Sequence, residues 1–512
     1  MSPRLRILPL LLALAACSAP TSSVRRAPSS SGPWHLVADE TAPELTPEAA
    51  RAELDKLVAA YGLAPGDFAA SAVSLPKGEA LWELEPERPM IPASNMKLPL
   101  SAAALDLLGP DFRFRTELKL EGGKLYVEGH ADPSIEAADF KAMLARLRDL
   151  RGKDALKEFG GDVVLDDSDF PVYDRIDPDF LDSAWSNTSY GALAVDHSRV
   201  TLQLAERPGK GLAALVAPDP EGFAVEIASR PLSFEPHYKP QYSVSFDEGR
   251  GLHVITLYPP LEPGRFTLPV RRASEHFGRV FARVARSSGV EVRSVARGTT
   301  PRGARPLLSR PSRPLRELLR AMNLESDNQM AEHLVLALAA KTGGRTREDG
   351  LAALSRFLVR KAGWKEGSFV VPNGSGLSRA ARVSPAQLTR LLTYMRARRD
   401  LDGALESSLP IAGWSGTLRR RLVGSSSVLR IAGKSGMIDY VHSVSGYGVD
   451  AGGRPFAFAL MANDAEGLRR TAGWTALQRE SEAEWKRSTD VNERFKELED
   501  RALEVLLRVR TP

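Results

Sequence analysis

The sequence predicts an α+β protein, because helical and strand patterns occupy different stretches of the chain. Helical patterns fill much of residues 46–111 and 301–489, and residues 430–462 alternate as strands around Gly433 and Gly453. The region between them, 112–300, carries short strand-like runs separated by Gly, Pro and Asp, with helical pieces at 135–157 and 273–288. A chain of 512 residues is also long for a single domain. We therefore expect helix-and-sheet segments that flank a β-rich central region.

The composition narrows the class of protein. Hydrophobic residues make up 43% of the chain and charged residues 26%, which is ordinary for a globular protein and excludes wholesale disorder. Because 69 Lys and Arg face 64 Asp and Glu, the charge is too balanced to indicate a nucleic-acid partner. The single cysteine excludes an intramolecular disulfide and a cysteine-based metal site.

That cysteine follows a short leader-like segment. Arg4 and Arg6 precede an apolar run at residues 7–16, which is too short to span a bilayer because a spanning helix needs about 20 residues. Residues 1–16 are therefore typical of a secretory signal, and the L-A-A-C run that ends at Cys17 resembles a bacterial lipobox, whose cysteine is lipidated. The alternative is a plain signal peptide cut near Cys17, which leaves a free thiol. We expect an exported protein held by a lipid on Cys17 at the periplasmic side of a bacterial membrane, inner or outer, with residues 17–45 as a tether.

The first folded elements follow the tether. Thr46 provides a helix N-cap and Pro47 the first helical position, and the apolar stripe of this helix ends at Gly62. A hairpin over residues 69–92 and a helix over residues 94–108 come next. At the other end of the chain, residues 490–512 carry an amphipathic helical pattern, which we expect to pack on its own domain.

Three short motifs carry the chemistry. Ser94 and Lys97 stand three positions apart at a predicted helix start, so their hydroxyl and amine share one helical face. The positive end of the helix dipole favours a serine alkoxide and disfavours a protonated lysine, so Lys97 can act as the general base for Ser94. The second motif is Ser326-Asp327-Asn328, and the third is Lys434-Ser435-Gly436 on a predicted strand. An S-x-x-K motif alone is weak evidence, but the three in this order are typical of penicillin-binding proteins and class A β-lactamases.

The chain resembles one group of these proteins in particular, the class C low-molecular-mass penicillin-binding proteins. These are D-alanyl-D-alanine carboxypeptidase/endopeptidases with a large insertion between the first two motifs. The similarity covers about residues 46–475 and includes the nucleophile segment at 92–98, an N-G-S-G-L-S stretch at 373–378 and S-V-S-G-Y at 443–447. The resemblance implies a serine β-lactamase/transpeptidase-like domain, an antiparallel sheet with helices, formed by residues 46–111 and 301–489. A large β-rich insertion of one or two domains at 112–300 would interrupt it.

The resemblance also implies a role for each motif residue. Ser94 would attack the carbonyl between two D-alanines of a peptidoglycan stem peptide and form an acyl-enzyme, while Lys97 accepts its proton. Ser326 would relay a proton towards the leaving amine, and Asn328 would hydrogen-bond the substrate amide. The implied substrate-binding residues are Lys434, Ser435, Gly436 and Met437. Lys434 would bind the terminal carboxylate, and the backbone N–H groups of Met437 and Ser94 would together form the oxyanion site. β-Lactams would be covalent inhibitors, and neither a cofactor nor a metal is implied.

Two residues depart from the family pattern. Ser435 stands where the third motif usually has threonine and keeps the hydroxyl. Met437 stands where a second threonine is usual, so a hydroxyl that would face the substrate carboxylate is lost. The balance between carboxypeptidase and endopeptidase activity therefore stays open.

Other classes of protein fit the sequence less well. A Ser-His-Asp hydrolase would need a G-x-S-x-G elbow, whose spacing the G-W-S-G run at 413–416 misses. A class A β-lactamase would need a much shorter gap between the first two motifs and a glutamate that activates the deacylating water. A metal site finds no support, since His130 and His197 lack the spacing of metal ligands. A lipid-anchored scaffold with little or no turnover would explain Ser435 and Met437, but not the otherwise intact motifs.

Overall fold

The computed structural model describes residues 44–510 apart from 153–155, 182–183, 208–210, 218–221, 229–240, 424–426 and 480. The expected signal segment, Cys17 and the tether up to residue 43 lie outside the described residues. Within the described ranges, none of the helices combines the length and the apolar character that a membrane span requires.

Helices and strands alternate in blocks, as the patterning predicts. The α-helices are α1 (Pro47–Ala60), α2 (Lys97–Leu108), α3 (Ala137–Arg151), α4 (Ala273–Ser287), α5 (Leu315–Glu325), α6 (Asn328–Lys341), α7 (Arg347–Arg360), α8 (Pro385–Ala397), α9 (Ala404–Ser407), α10 (Ala465–Arg470), α11 (Ala476–Arg479) and α12 (Glu482–Leu507). The strands are β1 (Phe68–Ser74), β2 (Ala80–Leu84), β3 (Arg115–Glu121), β4 (Lys124–Gly129), β5 (Asp162–Asp166), β6 (Arg199–Arg207), β7 (Gly211–Ala217), β8 (Phe223–Ile227), β9 (Gln241–Asp247), β10 (Leu252–Tyr258), β11 (Gly264–Pro269), β12 (Ser294–Arg297), β13 (Arg305–Pro311), β14 (Ile431–Ile438), β15 (Val441–Val449) and β16 (Pro455–Asn463).

A five-stranded antiparallel sheet joins the two ends of the chain. Its strand order is β14-β15-β16-β1-β2, so the N-terminal hairpin pairs with the three C-terminal strands. Phe68 lies opposite Ala462 in this register, and Ser74 lies opposite Phe456. One face of the sheet packs on a helical cluster that contains α2, α6 and α8, and the other packs on α1 and α12. This arrangement confirms the transpeptidase-like fold, with the third motif on the edge strand β14.

The predicted helix starts and stops have local causes. The Thr46 hydroxyl accepts a hydrogen bond from the Ala49 N–H at 3.2 Å, and Pro47 fills the first helical position, where no donor is needed. Pro99 lies in the first turn of α2, so the missing N–H breaks none of the later helical hydrogen bonds. α1 and α2 therefore form where the sequence predicts helices.

The insertion consists of two β-rich parts. A mixed sheet of order β12-β5-β4-β3-β13 packs on α3 and α4 around Phe140, Phe277 and Phe281. Two three-stranded sheets, β8-β10-β9 and β11-β6-β7, share a second core. The inserted sheet extends past the boundary expected at residue 300, because β13 pairs with β3 and closes the edge of that sheet.

The C-terminal helix also extends further than the pattern predicts. α12 begins at Glu482 rather than near residue 490. Its predicted apolar face is buried at Phe495, Leu498, Ala502 and Val505, which pack with α1 and the catalytic sheet. The helix therefore covers its own domain, as expected for an amphipathic helix at the end of a globular chain.

Candidate active site

Ser94 lies in a single tight turn just before α2. The turn is a 3₁₀ segment, Ala93–Met96, and Ala93 holds a left-handed backbone with φ 45°. A non-glycine residue in this region stores strain, which is common where the chain must present a reactive side chain. Ser94 is half-buried, whereas its neighbours Ala93 and Asn95 are fully buried. Ser94 is thus the partly accessible residue of an otherwise buried segment.

The side chain of Lys97 is fully buried beneath Ser94 and makes three hydrogen bonds. Its Nζ lies 3.0 Å from Ser94 Oγ, 2.7 Å from Asn328 Oδ1 and 2.7 Å from the Ser375 carbonyl. The amide oxygen and the carbonyl can only accept, so they take two N–H groups of the amine. A neutral amine in this position directs its lone pair at the Ser94 hydroxyl, which is the geometry of a general base.

Burial lowers the pKa of Lys97 to about 7, against a partial opposing effect of Asp327 and Glu332. Since water no longer solvates the ammonium, the charged form is disfavoured even though two carboxylates are near. The amine is therefore available as a base close to neutral pH.

Asn328 opens α6 and its amide is held from both sides. While Oδ1 accepts from Lys97, Nδ2 donates to the Ser186 carbonyl of the insertion at 3.2 Å. The two bonds fix which side of the amide faces the lysine. The insertion is thus part of the site wall.

Asp327, between Ser326 and Asn328, anchors the second motif. Its carboxylate caps α6 by accepting from the Met330 N–H at 2.8 Å, and it is ion-paired with Arg199 at 3.0 Å. His197 Nδ1 lies 3.3 Å from the same carboxylate. Despite complete burial, Arg199 and His197 hold the pKa of Asp327 well below its usual range. The aspartate is therefore a structural anion rather than a proton donor.

Ser326 lies at the end of α5, outside the hydrogen-bonded group around Lys97. It ends α5 in a left-handed conformation with φ 56° and is half-buried. Among the described residues, no hydrogen bond joins its hydroxyl to Ser94 or Lys97. The structure therefore brings Ser94, Lys97 and Asn328 into one hydrogen-bonded group and leaves the Ser326 hydroxyl free to meet a ligand.

The third motif lies on the edge strand β14, directly against the nucleophile. A Cβ added at Gly436 would lie 2.8 Å from the Ser94 N and 2.7 Å from the Pro92 carbonyl, so only glycine allows this approach. Lys434 is fully buried and donates to the Ser435 carbonyl at 2.7 Å. Burial, together with the nearby charge of Lys97, lowers the pKa of Lys434 well below its usual range.

The outer side of β14 faces solvent. The Ser435 hydroxyl donates to the Thr417 hydroxyl at 2.7 Å, and Met437 is 63% exposed. The side chain of Met437 therefore faces solvent beside the third motif, and its thioether provides no hydrogen-bond donor. Thr417 belongs to a G-T-L run at 416–418 that also resembles the family, but the sequence assigns it no role.

Sequence reasoning also missed two backbone acceptors and one acid. The carbonyls of Ser186 and Ser375 contact Asn328 and Lys97, but a backbone group leaves no signature in residue type. Glu332, fully buried on α6, accepts from the Ser375 N–H at 2.9 Å. Its position four residues after Asn328, on the same helical face, is the signal that could have indicated it.

The described part of the chain gives less support to a Ser-His hydrolase site or to a metal site. The described histidines make no hydrogen bond to Ser94, so a Ser-His arrangement is not formed there. The side chains of Glu117, Glu128 and His130 approach one another closely enough to share a cation. Lys119 is ion-paired with both of these glutamates, and its ammonium already compensates their charge.

Comparisons with known proteins identify the family and the fold. The family model described as D-Ala-D-Ala carboxypeptidase 3 (S13) matches residues 50–480. The chain is 27% identical over 397 residues to the D-alanyl-D-alanine carboxypeptidase DacB of Haemophilus influenzae, covering 73% of this chain and 80% of that protein. It is 28% identical over 426 residues to the D-alanyl-D-alanine carboxypeptidase of Actinomadura sp. strain R39, covering 76% of each. The fold is similar to the crystal structure of penicillin binding protein 4 (dacB) from Haemophilus influenzae, with a TM-score of 0.69, 24% identity and coverage of 80% of this chain and 93% of that chain.

Proposed function

The chain belongs to the D-Ala-D-Ala carboxypeptidase 3 (S13) family, and we propose that it is a serine D-alanyl-D-alanine carboxypeptidase/endopeptidase that cleaves peptidoglycan stem peptides. The observation that carries the proposal is the 3.0 Å contact between Lys97 Nζ and Ser94 Oγ. A buried amine with a pKa of about 7 can accept the serine proton at neutral pH.

The first half of the reaction is acylation. Lys97 takes the proton of Ser94 as the serine oxygen bonds to the carbonyl carbon between the two D-alanines. The N–H groups of Ser94 and Met437 would stabilise the oxyanion. The C–N bond then breaks, and the leaving amine takes up a proton that Ser326 relays. The product is an ester on Ser94, which water hydrolyses with Lys97 again as the base.

Substrate binding uses charge as well as shape. In the free site the pKa of Lys434 is lowered, so this lysine gains from a partner anion. The terminal carboxylate of a stem peptide would supply that anion, with the Ser435 hydroxyl as a second contact. Asn328, with its amide orientation held by Lys97 and Ser186, would meet the substrate amide.

β-Lactams would enter by the same route. Their strained amide presents a carbonyl to Ser94 and a carboxylate to Lys434, and the acyl-enzyme forms without loss of a leaving amine. The Haemophilus influenzae relative has been crystallised in complex with a β-lactam, which supports this part of the proposal.

The proposed location is the periplasmic side of a bacterial membrane. The signal-like pattern of residues 1–16 and the lipobox-like run that ends at Cys17 support it, and residues 17–45 would be the tether. Replacing Cys17 with serine should release the protein from the membrane fraction of cells, and a Cys17→Ser protein that stays with the membrane would contradict the anchor.

The decisive test of function is digestion of purified peptidoglycan. The wild-type chain and Ser94→Ala are compared, and the products are resolved by mass. Release of D-alanine from pentapeptides shows carboxypeptidase activity, and loss of cross-linked dimers shows endopeptidase activity. If the wild-type chain gives neither product, the result would favour the alternative of a scaffold with little or no turnover. The Ser94→Ala chain should give neither product and should not be labelled by a fluorescent penicillin.

A further inference from the structure

Helix α6 presents two polar side chains towards Lys97, one turn apart. Asn328 contacts the amine directly. Glu332 lies four residues later on the same face and is completely buried. A carboxylate at full burial is costly unless its oxygens are hydrogen-bonded, so its partners indicate why it is there.

Those partners are backbone N–H groups of a single turn. Glu332 Oε1 accepts from the Ser375 N–H at 2.9 Å, and Oε2 accepts from the Gly374 N–H at 3.4 Å. On its other side, Ser375 offers its carbonyl to Lys97 Nζ at 2.7 Å. Glu332 and Lys97 are thus linked through the two ends of one residue.

The turn itself is held tightly against the nucleophile. Gly376 has φ 80°, and a Cβ there would lie 1.8 Å from the Ala93 carbonyl. The Gly376 N–H donates to Asn373 Oδ1 at 2.9 Å, which closes the turn. The Ser375 carbonyl shares its peptide plane with the Gly376 N–H, so the bond to Asn373 holds that plane, while the bond from the Ser375 N–H to Glu332 holds the plane before it.

We infer that Glu332 is a positioning residue for the general base. Glu332 holds the backbone on one side of Ser375 and Asn373 holds it on the other, so that the Ser375 carbonyl points at Lys97 and the lone pair of the amine is left for Ser94. The inference deepens the proposed function and rests on it. Glu332 touches neither substrate nor Ser94 in this role, and it acts only through the 374–376 turn and its charge.

The charge of Glu332 has a second effect on the same lysine. A carboxylate near Lys97 favours the protonated amine, so it raises the pKa of Lys97 and partly opposes the decrease in pKa that burial causes. The other ionisable groups in this electrostatic neighbourhood are Asp327 before α6, Lys434 on β14, Arg347 on α7 and Tyr190 of the insertion. Removing the carboxylate therefore makes Lys97 a base that loses its proton at lower pH.

The experiment measures the rate of Ser94 acylation by a fluorescent penicillin as a function of pH, in the full-length chain. Glu332→Gln removes the charge and keeps one acceptor, so the acid limb of the profile should move to lower pH. Its rate relative to wild type should be higher at about pH 6 than at about pH 8. A merely structural role would lower the rate without moving the limb.

Glu332→Asp provides the complementary test, because it keeps the charge and shortens the reach to the Ser375 N–H. We expect the acylation rate to fall by about 10- to 100-fold across the pH range. Glu317→Gln, on the exposed face of α5, is the matched control and should behave as wild type. If Glu332→Gln does not fold, a wild-type rate in Glu332→Asp still overturns the role of Glu332.

The outcomes separate the two levels of the proposal. A wild-type chain that is not acylated at all overturns the proposed function and the inference with it. An acylated wild type together with an unmoved acid limb in Glu332→Gln, or with a wild-type rate in Glu332→Asp, overturns only the role of Glu332.

Discussion

Lys97 Nζ and Asn328 Oδ1 lie 2.7 Å apart although 231 positions separate the two residues. The contact joins the first turn of α2 to the first turn of α6, so the proposed base and the amide that orients it both lie at helix starts. Because Asn328 Nδ2 is used by the Ser186 carbonyl, the amide can offer Lys97 only its oxygen. The direction of the lysine lone pair is therefore set by neighbours that do not themselves react.

The wild-type pH profile should reflect the buried lysine. Since the pKa of Lys97 is about 7 and the reaction needs the neutral amine, kcat/KM should rise with pH through about 7. Steady-state assays on a D-alanyl-D-alanine peptide would measure this. An acid limb near pH 10, the ordinary range of lysine, would show that Lys97 is not the base that limits acylation.

Asn328→Asp should weaken acylation at neutral pH and restore part of it in alkali. A carboxylate 2.7 Å from Lys97 Nζ favours the protonated amine. The acid limb of the pH–rate profile should therefore move to a pH that is higher by about 1 to 3. Penicillin-labelling rates between about pH 6 and pH 10 would show the shift. Asn328→Ala is the control, because it removes the same hydrogen bond without adding charge and should lower the rate without moving the limb upwards.

Gly436→Ala should nearly abolish acylation in a folded protein. Its Cβ would lie 2.8 Å from the Ser94 N, inside the space that the oxyanion donor needs. A displacement of about 1 Å at the nucleophile can cost about 100-fold in rate. Gly452→Ala, whose nearest contact would be 3.4 Å from a side-chain oxygen, is the matched control. Circular dichroism should give similar spectra for both, and a Gly436→Ala chain labelled at the wild-type rate would refute the steric argument.

Met437→Thr should raise carboxypeptidase turnover. The exposed methionine offers no donor, whereas a threonine hydroxyl could bind the terminal carboxylate and add about 1 kcal/mol, or roughly fivefold in kcat/KM. The gain should disappear with a substrate whose terminal carboxylate is amidated. Met437→Leu serves as the control for loss of the thioether, and an equal gain there would show that the hydroxyl is not the cause.

Arg199→Ala should loosen the insertion from the second motif and destabilise the fold. Arg199 pairs with buried Asp327 at 3.0 Å and also donates to the Trp185 carbonyl, next to Ser186. Removing one partner of a buried pair costs about 3 kcal/mol, which urea unfolding at neutral pH would detect. Because the folded-state pKa of Asp327 is depressed, this stabilisation is present above about pH 4 and is lost as the pH falls further.

The control for that experiment is another arginine of the insertion. Arg250→Ala breaks an exposed ion pair with Glu226, and such pairs contribute little to stability. An Arg199→Ala chain as stable as Arg250→Ala at neutral pH would contradict the anchoring role. The acylation rate should fall with Arg199→Ala as well, since the Ser186 carbonyl then loses its support.

Much of this architecture could be predicted from sequence because its signals are local. The cap at Thr46, the turn within the hairpin predicted over residues 69–92 and the spacing of Ser94 and Lys97 depend on near neighbours. The strand β13 and the early start of α12 were missed, because pairing with β3 and packing on the catalytic sheet are decided by distant residues. Glu332 and the Ser186 carbonyl were missed for the same reason. The partner of Glu332, Ser375, is 43 positions away in the sequence.

The register between β1 and β16 also bears on how the molecule is made. Ala69 pairs with Met461 and Ala72 with Phe458, so β1, which pairs with β2 on one side, finds its second neighbour only near the end of the chain. During synthesis the N-terminus emerges first, so β1 and β2 are made long before β16. The insertion, which has hydrophobic cores of its own, is made in between. Closing so long a loop is slow relative to local folding. Catalytic competence is therefore a late event in synthesis, and a chain truncated before residue 455 would lack β16, the strand that joins β1 to β15.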